Sequence, residues 1–469
     1  MQTNTRSAID ALSVLSQSAH SPFHCCKYCE DTLKKAGFLA LPKNEPISLT
    51  PGGKYYIDLY DATCIAFTVG KKVSAGKKLP KLRMITAHTD WPSFLIKPQP
   101  ELTQGSYGKL NIEPYGGAVY TSWLDRPLGI AGKVCTKGKD AFHPVTHLID
   151  SKKPVAVIPG LAIHMNPEIN KGIQLNPQLQ LLPLVARLGE DEKSDYFLHY
   201  LELLTGCKAE DILDYELFLY NADPGAEVGL NGEFFSCPRI DNYSSVQAAL
   251  SALLHADTKE DHICISAFYH NEEIGSATKQ GAGSVMTMDL LKRIFAALGF
   301  SEEMLSCTIA EGLCLSLDVA HGLHPNYPDK NDPTCQICLG DGVALKLSAR
   351  QSYATDSSYV SVIEGICRQH NIPYKKFVNR SDQRGGSTLG SITSAKLAIP
   401  CVDAVSWILE RRFCPCIPPE NSWHALTRKP YVRLLRRCSV ADPERSHAVN
   451  TQYNMRHYST ICTISKLKN

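Results

Sequence analysis

The succession of apolar and polar positions changes character several times along this chain, and each change marks an element or a boundary. Between Ala8 and Gly37 apolar residues recur at helical spacing, and Ser21-Pro22-Phe23 interrupts the run, which predicts two short helices joined by a turn. Apolar and β-branched runs follow from Tyr55 to Val69 and from Arg83 to Ala87, bounded by Gly, Pro and Lys. These read as strands, and the second ends directly on His88. From about Phe94 to Phe235 short segments are punctuated by Gly and Pro, as at Tyr115-Gly116-Gly117, Gly129, Gly132 and Pro154 to Gly160, which is the texture of a β-rich insertion. The earlier pattern then returns: Ser244 to His255 is helical in period, Ile263 to Tyr269 is a buried strand, and Met286 to Leu298 is helical again.

Strand and helix alternating on both sides of a β-rich middle predict an α/β sheet domain interrupted by a second domain. The corresponding segments are 1–93 and 236–403 for the sheet domain and 94–235 for the insertion. The remaining stretch, 404–469, differs. It carries 11 Lys/Arg against 4 Asp/Glu, holds two of the four tryptophans and shows little alternation, so it does not read as the same fold continuing. Neither an internal repeat nor a low-complexity tract is evident.

Composition narrows the function classes. With 469 residues, 43% of them hydrophobic and 20% charged, the chain can bury a large core. A formal charge of +2 gives no general field that would draw in nucleic acid or an anionic membrane, so partners must be argued from sites. There is no apolar run suited to a signal peptide and no stretch of about 18 uninterrupted apolar residues for a membrane span, so a cytoplasmic protein is the expectation. Eighteen cysteines without regular spacing then read as reduced thiols. Two C-x-x-C pairs, Cys26/Cys29 and Cys335/Cys338, lie far apart and lack neighbouring His partners; plain buried or surface thiols are the preferred reading over a zinc ribbon.

The candidate chemistry lies in four short stretches: His88-Thr89-Asp90, Arg239-Ile240-Asp241-Asn242, Glu272-Glu273, and Leu317-Asp318-Val319-Ala320-His321. Two divalent ions a few ångströms apart need a bridging carboxylate, further ligands on each ion, and a free carboxylate to take a proton from an activated water. His88 offers an imidazole, Asp90 a second-shell acceptor for its other ring N–H, Asp241 the bridge, and Glu273 and Asp318 further ligands, which leaves Glu272 as general base. Each piece alone is weak, since an H-x-D or E-E is usually a solvated surface feature. Their contexts strengthen them: three follow apolar strand-like runs, where buried carboxylates are costly unless paired or metal-bound.

Across roughly Ala8 to Asp403 the chain resembles the M18 metallopeptidases, the aspartyl aminopeptidase family. The resemblance rests on Ser21-Pro22-Phe23-His24, Ala87-His88-Thr89-Asp90, Tyr115-Gly116-Gly117 and Trp123-Leu124-Asp125-Arg126 in the first half. It continues with Ala162-Ile163-His164-Met165-Asn166, Pro238-Arg239-Ile240-Asp241-Asn242, His270 to Ser276, Asp318-Val319-Ala320-His321 with His324-Pro325-Asn326-Tyr327, and Gly385-Gly386-Ser387-Thr388. It implies a zinc-exopeptidase-like sheet sandwiched by helices, a β-rich dimerisation domain, two zinc ions per subunit, removal of N-terminal Asp or Glu from peptides, and assembly as a cytosolic dodecamer. By motif it makes His88, Asp241, Glu273 and Asp318 metal ligands and Glu272 the catalytic base, supported by Asp90. It also makes His164, His321 and Lys346 substrate-contacting, with His164 reaching a neighbouring subunit. A two-metal exopeptidase of neutral specificity is the nearest alternative enzyme, because metal ligands alone do not set the side-chain pocket.

The sequence departs from this family in two places. Pro127 follows Trp123-Leu124-Asp125-Arg126 where the family usually has an acidic residue, which removes a backbone donor. More seriously, the family's fifth metal ligand is a histidine in a Ser-Met-His-Ser stretch soon after a Val-Asp like Val402-Asp403. Here the chain reads Phe413-Cys414-Pro415-Cys416-Ile417-Pro418-Pro419-Glu420-Asn421-Ser422-Trp423. Back-translated from the third base of the Phe413 codon, with permitted third bases, that stretch spells Leu-Ser-Met-His-Ser-Ala-Arg-Glu-Leu-Met. The tail is therefore read as a frameshifted or misspliced translation. As written it leaves one ion with His88, Asp241 and Asp318 and the other with only Asp241 and Glu273. A catalytically impaired assembly subunit is the resulting alternative.

Overall fold

The computed structural model describes residues 2–74, 78–190, 193–409, 423 and 424. The N-terminal run resolves into the helices Gln2–Ser18 and Pro22–Lys35. Ser21 caps the second by accepting from the His24 N–H at 3.3 Å, and Pro22 occupies the first turn, where its missing N–H costs nothing. The apolar run from Tyr55 to Val69 is two strands, Lys54–Leu59 and Thr63–Val69, folded back on each other with Asp58 opposite Cys64. Tyr60 and Asp61, both at positive φ, make the turn, which an unbroken apolar pattern does not reveal.

The central sheet places the strand Lys81–His88 between His262–Tyr269 and Leu313–Ser316, all parallel, and Leu313–Ser316 pairs in parallel with Cys401–Leu409. Because side chains alternate across a pleat, Ile85 and Ala87 face one core while Leu82 and Met84 face the other. The first core packs against the two N-terminal helices, Ile240–Leu254 and Ser357–Gln369; the second packs against Met286–Ala297, Glu302–Ala310 and Leu389–Leu397. Each fully buried Leu, Ile or Phe there contributes about 1.5–3 kcal/mol, so both faces are driven closed. This is an α/β sheet covered by helices on both sides.

A second, six-stranded sheet runs in the order Val145–Asp150, Leu128–Thr136, Ile212–Asn221, Ser93–Gln104, Tyr107–Tyr115, Leu184–Arg187, with antiparallel neighbours throughout. Its own core gathers Phe94, Ile112, Trp123, Ile130, Leu201 and Leu217. Between the two sheets lies a small apolar cluster of Phe23, Ala62, Tyr115 and Phe218.

The chain does not leave the fold at Ala404, where the composition shifts. The strand Cys401–Leu409 continues through it, and Ala404, Val405 and Ser406 are buried beside the central sheet. A short strand, Trp423–His424, pairs antiparallel with the end of Cys401–Leu409. The stretch 410–422, which includes the altered Phe413 to Ser422 segment, and the chain after 424 lie outside the described residues. No helix among the described residues is long and apolar enough to cross a membrane.

Candidate metal centre

Three parallel strands end side by side, with Tyr269 opposite His88 and Ser316 opposite Thr86. Everything immediately after those ends therefore converges: His88 closes one strand, Glu272 and Glu273 follow the second, and Asp318 follows the third. This is the crevice beyond the carboxyl ends of strands where open α/β sheets place their ligands. Asp241 arrives from the side, at the start of Ile240–Leu254, where it and Asn242 depart from helical angles.

Around His88 Nε2 stand Asp241 Oδ1 at 3.3 Å, Asp318 Oδ1 at 3.6 Å and Glu272 Oε2 at 3.9 Å. Donor atoms of His88, Asp241 and Asp318 lie within 4.8 Å of one another, as do those of His88, Glu272 and Glu273. Asp90 is fully buried beside them and meets the ring twice. His88 Nδ1 is 3.0 Å from the main-chain carbonyl of Asp90 and 3.5 Å from its carboxylate. The same carboxylate accepts from the backbone N–H groups of Glu272 and Glu273, both at 3.2 Å, and from the Tyr115 hydroxyl at 2.7 Å.

The electrostatics fit divalent cations. Burial and the neighbouring carboxylates push Glu272 up to about 8 and Glu273 well up, while burial and Asp318 raise Asp241. Burial opposes a charge on His88, yet Glu272, Asp241 and Asp318 drive its pKa well above the usual imidazole range. A pocket that holds protons to balance its own carboxylates is a pocket suited to cations. Asp241 Oδ1, buried, accepts no hydrogen bond, which leaves it free to coordinate.

Asp318 is held differently. Burial would raise it, but Lys346 and His88 outweigh that and keep its carboxyl below the usual range. Lys346 is buried, with its Nζ 3.9 Å from Asp318 Oδ2, 3.2 Å from the Val319 carbonyl and 4.4 Å above the Tyr353 ring. His321 lies at an exposed position against Phe377; the surrounding protein and then Lys346 lower its imidazole to about 4, so it is neutral at pH 7. His164 sits on the exposed turn Ile163–Met165 of the second sheet's domain, apart from the carboxylate cluster.

Tyr115 was not among the residues singled out for chemistry. It ends the strand Tyr107–Tyr115 of the second sheet, and its hydroxyl both donates to Asp90 and accepts from Asn271 Nδ2 at 2.9 Å. Burial and Asp90 drive its pKa upward, so the hydroxyl keeps its proton. The only signal in the sequence is its place before Gly116-Gly117. Gly116 has φ +71°, and a Cβ there would come within 3.1 Å of Glu273 Cβ, so the turn passes directly over a ligand. A hydrogen bond to a charged group contributes about 1.5–3 kcal/mol. Tyr115→Phe is expected to lower kcat about 10-fold or more with little change in KM, because it loosens the turn carrying Glu272 rather than the substrate pocket. Steady-state kinetics at matched zinc content checks this; an unchanged kcat would show that Asp90 positions the turn without the tyrosine.

Donors gathered at parallel strand ends, in a pocket too rich in negative charge to be stable alone, define the class as a metal-dependent hydrolase. Comparison with known proteins narrows this. The profile of the family described as "Aminopeptidase I zinc metalloprotease (M18)" matches residues 15–408. A "Probable M18 family aminopeptidase 2" from Clostridium acetobutylicum is 43% identical over 385 residues, spanning 82% of this chain and 88% of its own length. A chain in the cryo-EM structure of the Ape4 and Nbr1 complex aligns with a TM-score of 0.85 at 25% identity, over 94% of this chain and 86% of that one. The S. cerevisiae mApe1 dodecamer aligns with a TM-score of 0.77 at 22% identity, over 95% of this chain and 100% of its own. The chain belongs to the M18 family of zinc aminopeptidases.

Proposed function

We propose that this chain removes N-terminal Asp or Glu from peptides with a pair of zinc ions. The observation that carries the two-ion reading is the arrangement of two overlapping donor groups, His88-Asp241-Asp318 and His88-Glu272-Glu273, within one pocket. His88, Asp241, Glu273 and Asp318 would hold the ions. When bound, the ions would polarise the scissile carbonyl and acidify a water. Glu272 accepts the proton of the attacking water and returns it to the departing amine. Asp90 fixes Glu272 and Glu273 through their backbone N–H groups, and Tyr115 fixes Asp90. His164, exposed on its turn, would reach the site of a neighbouring copy and donate to the developing oxyanion. That arrangement needs assembly, and the dodecamer of the similar yeast protein supplies the form proposed here, in the cytoplasm.

Acidic specificity rests on charge near the pocket. Lys346 is a buried cation whose charge is favoured by Asp318, Asp403 and Asp241, and neutral His321 is a hydrogen-bonding group beside it. Asp- and Glu-anilides are expected to be cleaved faster than Leu-anilide, by a ratio that falls about 10-fold or more in Lys346→Met; loss of one charge-assisted contact has that order of effect. Equal kcat/KM for all three substrates would support the exopeptidase of neutral specificity instead.

A further inference from the structure

A second group of metal-ligating side chains lies outside the catalytic set. Cys26 and Glu30 stand one turn apart on the same face of Pro22–Lys35, and that face lies on the hairpin Lys54–Leu59/Thr63–Val69. There Asp58 and Cys64 are directly opposed across the two strands, so their side chains share the side of the hairpin that the helix covers. Cys26 Sγ is 3.8 Å from Glu30 Oε1 and 3.9 Å from Asp58 Oδ1, and the three donor atoms all lie within 4.8 Å of one another. A tetrahedral zinc with bonds of about 2.3 Å to sulfur and about 2.0–2.2 Å to oxygen holds such donors about 3.5 Å apart, so the two sulfur–oxygen spacings are within a few tenths of an ångström of what the ion requires. Cys64, fully buried, hydrogen-bonds to Cys26, so a second thiol lies next to the group, beyond the three donors that all fall within 4.8 Å of one another.

The charges around the group leave room for a cation. Burial, and then Asp58, push the Glu30 carboxyl up to about 7; burial, and then Asp61, push Asp58 up to about 6. Lys27 lies 3.8 Å from Glu30 but 2.8 Å from Asp31, so its ammonium is turned mainly to the latter. The backbone N–H of Asp61 donates at 3.0 Å to Asp58 Oδ1, the same oxygen that faces the Cys26 thiol, and so fixes the direction of that carboxylate. The C-x-x-C spacing of Cys26 and Cys29 is incidental to this group. Cys29 hydrogen-bonds to Cys25, so the partners of Cys26 come from the hairpin and from position 30 instead.

The geometry points to a structural zinc site made by Cys26, Glu30 and Asp58, with Cys64 as fourth donor, which clamps the second helix to the first hairpin and shares no residue with the catalytic set. Binding displaces the thiol protons of Cys26 and Cys64 to solvent, as thiolate ligation requires. The helix it fixes carries Phe23 in the small core that also holds Tyr115, so the clamp would stiffen the contact between the two sheets.

The test uses cobalt(II), because the catalytic donors are only imidazole and carboxylate and cannot give a thiolate-to-cobalt charge-transfer band in the near ultraviolet. The full chain, stripped with chelator and reloaded with cobalt(II), is expected to show that band. Asp241→Asn and Cys335→Ser should keep it, while Cys26→Ser should lose it. Glu30→Gln, at a partly exposed position that the fold tolerates, should weaken cobalt affinity at this band by about 10-fold or more, as removal of even an outer partner does. This variant keeps the test informative should Cys26→Ser fail to fold. Absence of the band, or a band of equal strength and affinity in Cys26→Ser or Glu30→Gln, would overturn the proposal.

Discussion

Replacing Glu272 by Gln is expected to lower kcat by roughly 100- to 10,000-fold while zinc content and KM stay close to those of the parent, because the change removes only the group that moves the proton. The side chain keeps its size, and the backbone N–H that Asp90 anchors is untouched. The pH dependence should change as well. Glu272 works as a base only when ionised, so activity of the parent must fall as pH drops through its pKa. In the metal-free pocket that value is about 8, raised chiefly by burial. Cations beside it favour the charged form, so in the zinc-loaded enzyme the acid limb should lie below 8. That limb should vanish from the residual activity of Glu272→Gln. A variant retaining more than a tenth of parental kcat would mean that another group accepts the proton, and the assignment of Glu272 would fall.

A chain carrying Leu-Ser-Met-His-Ser-Ala-Arg-Glu-Leu-Met from position 413 is expected to bind a second zinc ion and to outpace the present sequence by more than the 10- to 100-fold that even an outer-shell partner is worth. The reason is a matter of ligand count. In the present sequence the Asp241–Glu273 side of the pocket lacks an imidazole, and two carboxylates alone hold zinc weakly. The family match stops at residue 408, just before the altered stretch. Zinc analysis and turnover of the two chains side by side decide the matter. Equal stoichiometry and equal rates would refute the frameshift reading; low rates with intact assembly in the present chain would support an impaired assembly subunit. Reading the coding DNA around codon 413 tests the same idea independently.

Much of the site was legible because its residues follow regular elements. His88 ends an apolar run, Glu272 and Glu273 follow another, and strands that are apolar from end to end belong in the middle of a covered sheet. The role of Asp90 was only half legible. Proximity to His88 suggests the side-chain contact that the structure has at 3.5 Å, but not that the same carboxylate holds the next strand's turn, a partner 182 residues along the chain. The ion pair of Lys346 with Asp318 was likewise not legible, because the two are brought together only by the fold.

Periods of 2 and 3.6 are local properties, so many of the strands and helices could be read along the chain, though not the hairpin turn at Tyr60-Asp61 or the strand that runs through Ala404; the donor types were legible because chemistry is carried by residue identity. The chain also showed the family pattern to about Asp403 and the departure from it in the tail. What only the tertiary structure decided was pairing. Parallel strands bring Tyr269, His88 and Ser316 to one edge, the hairpin sets Asp58 and Cys64 against Cys26, and the second sheet lends Tyr115 to a turn it does not belong to. Contacts of that kind depend on which surfaces exclude water together, and no local pattern along a single chain encodes them.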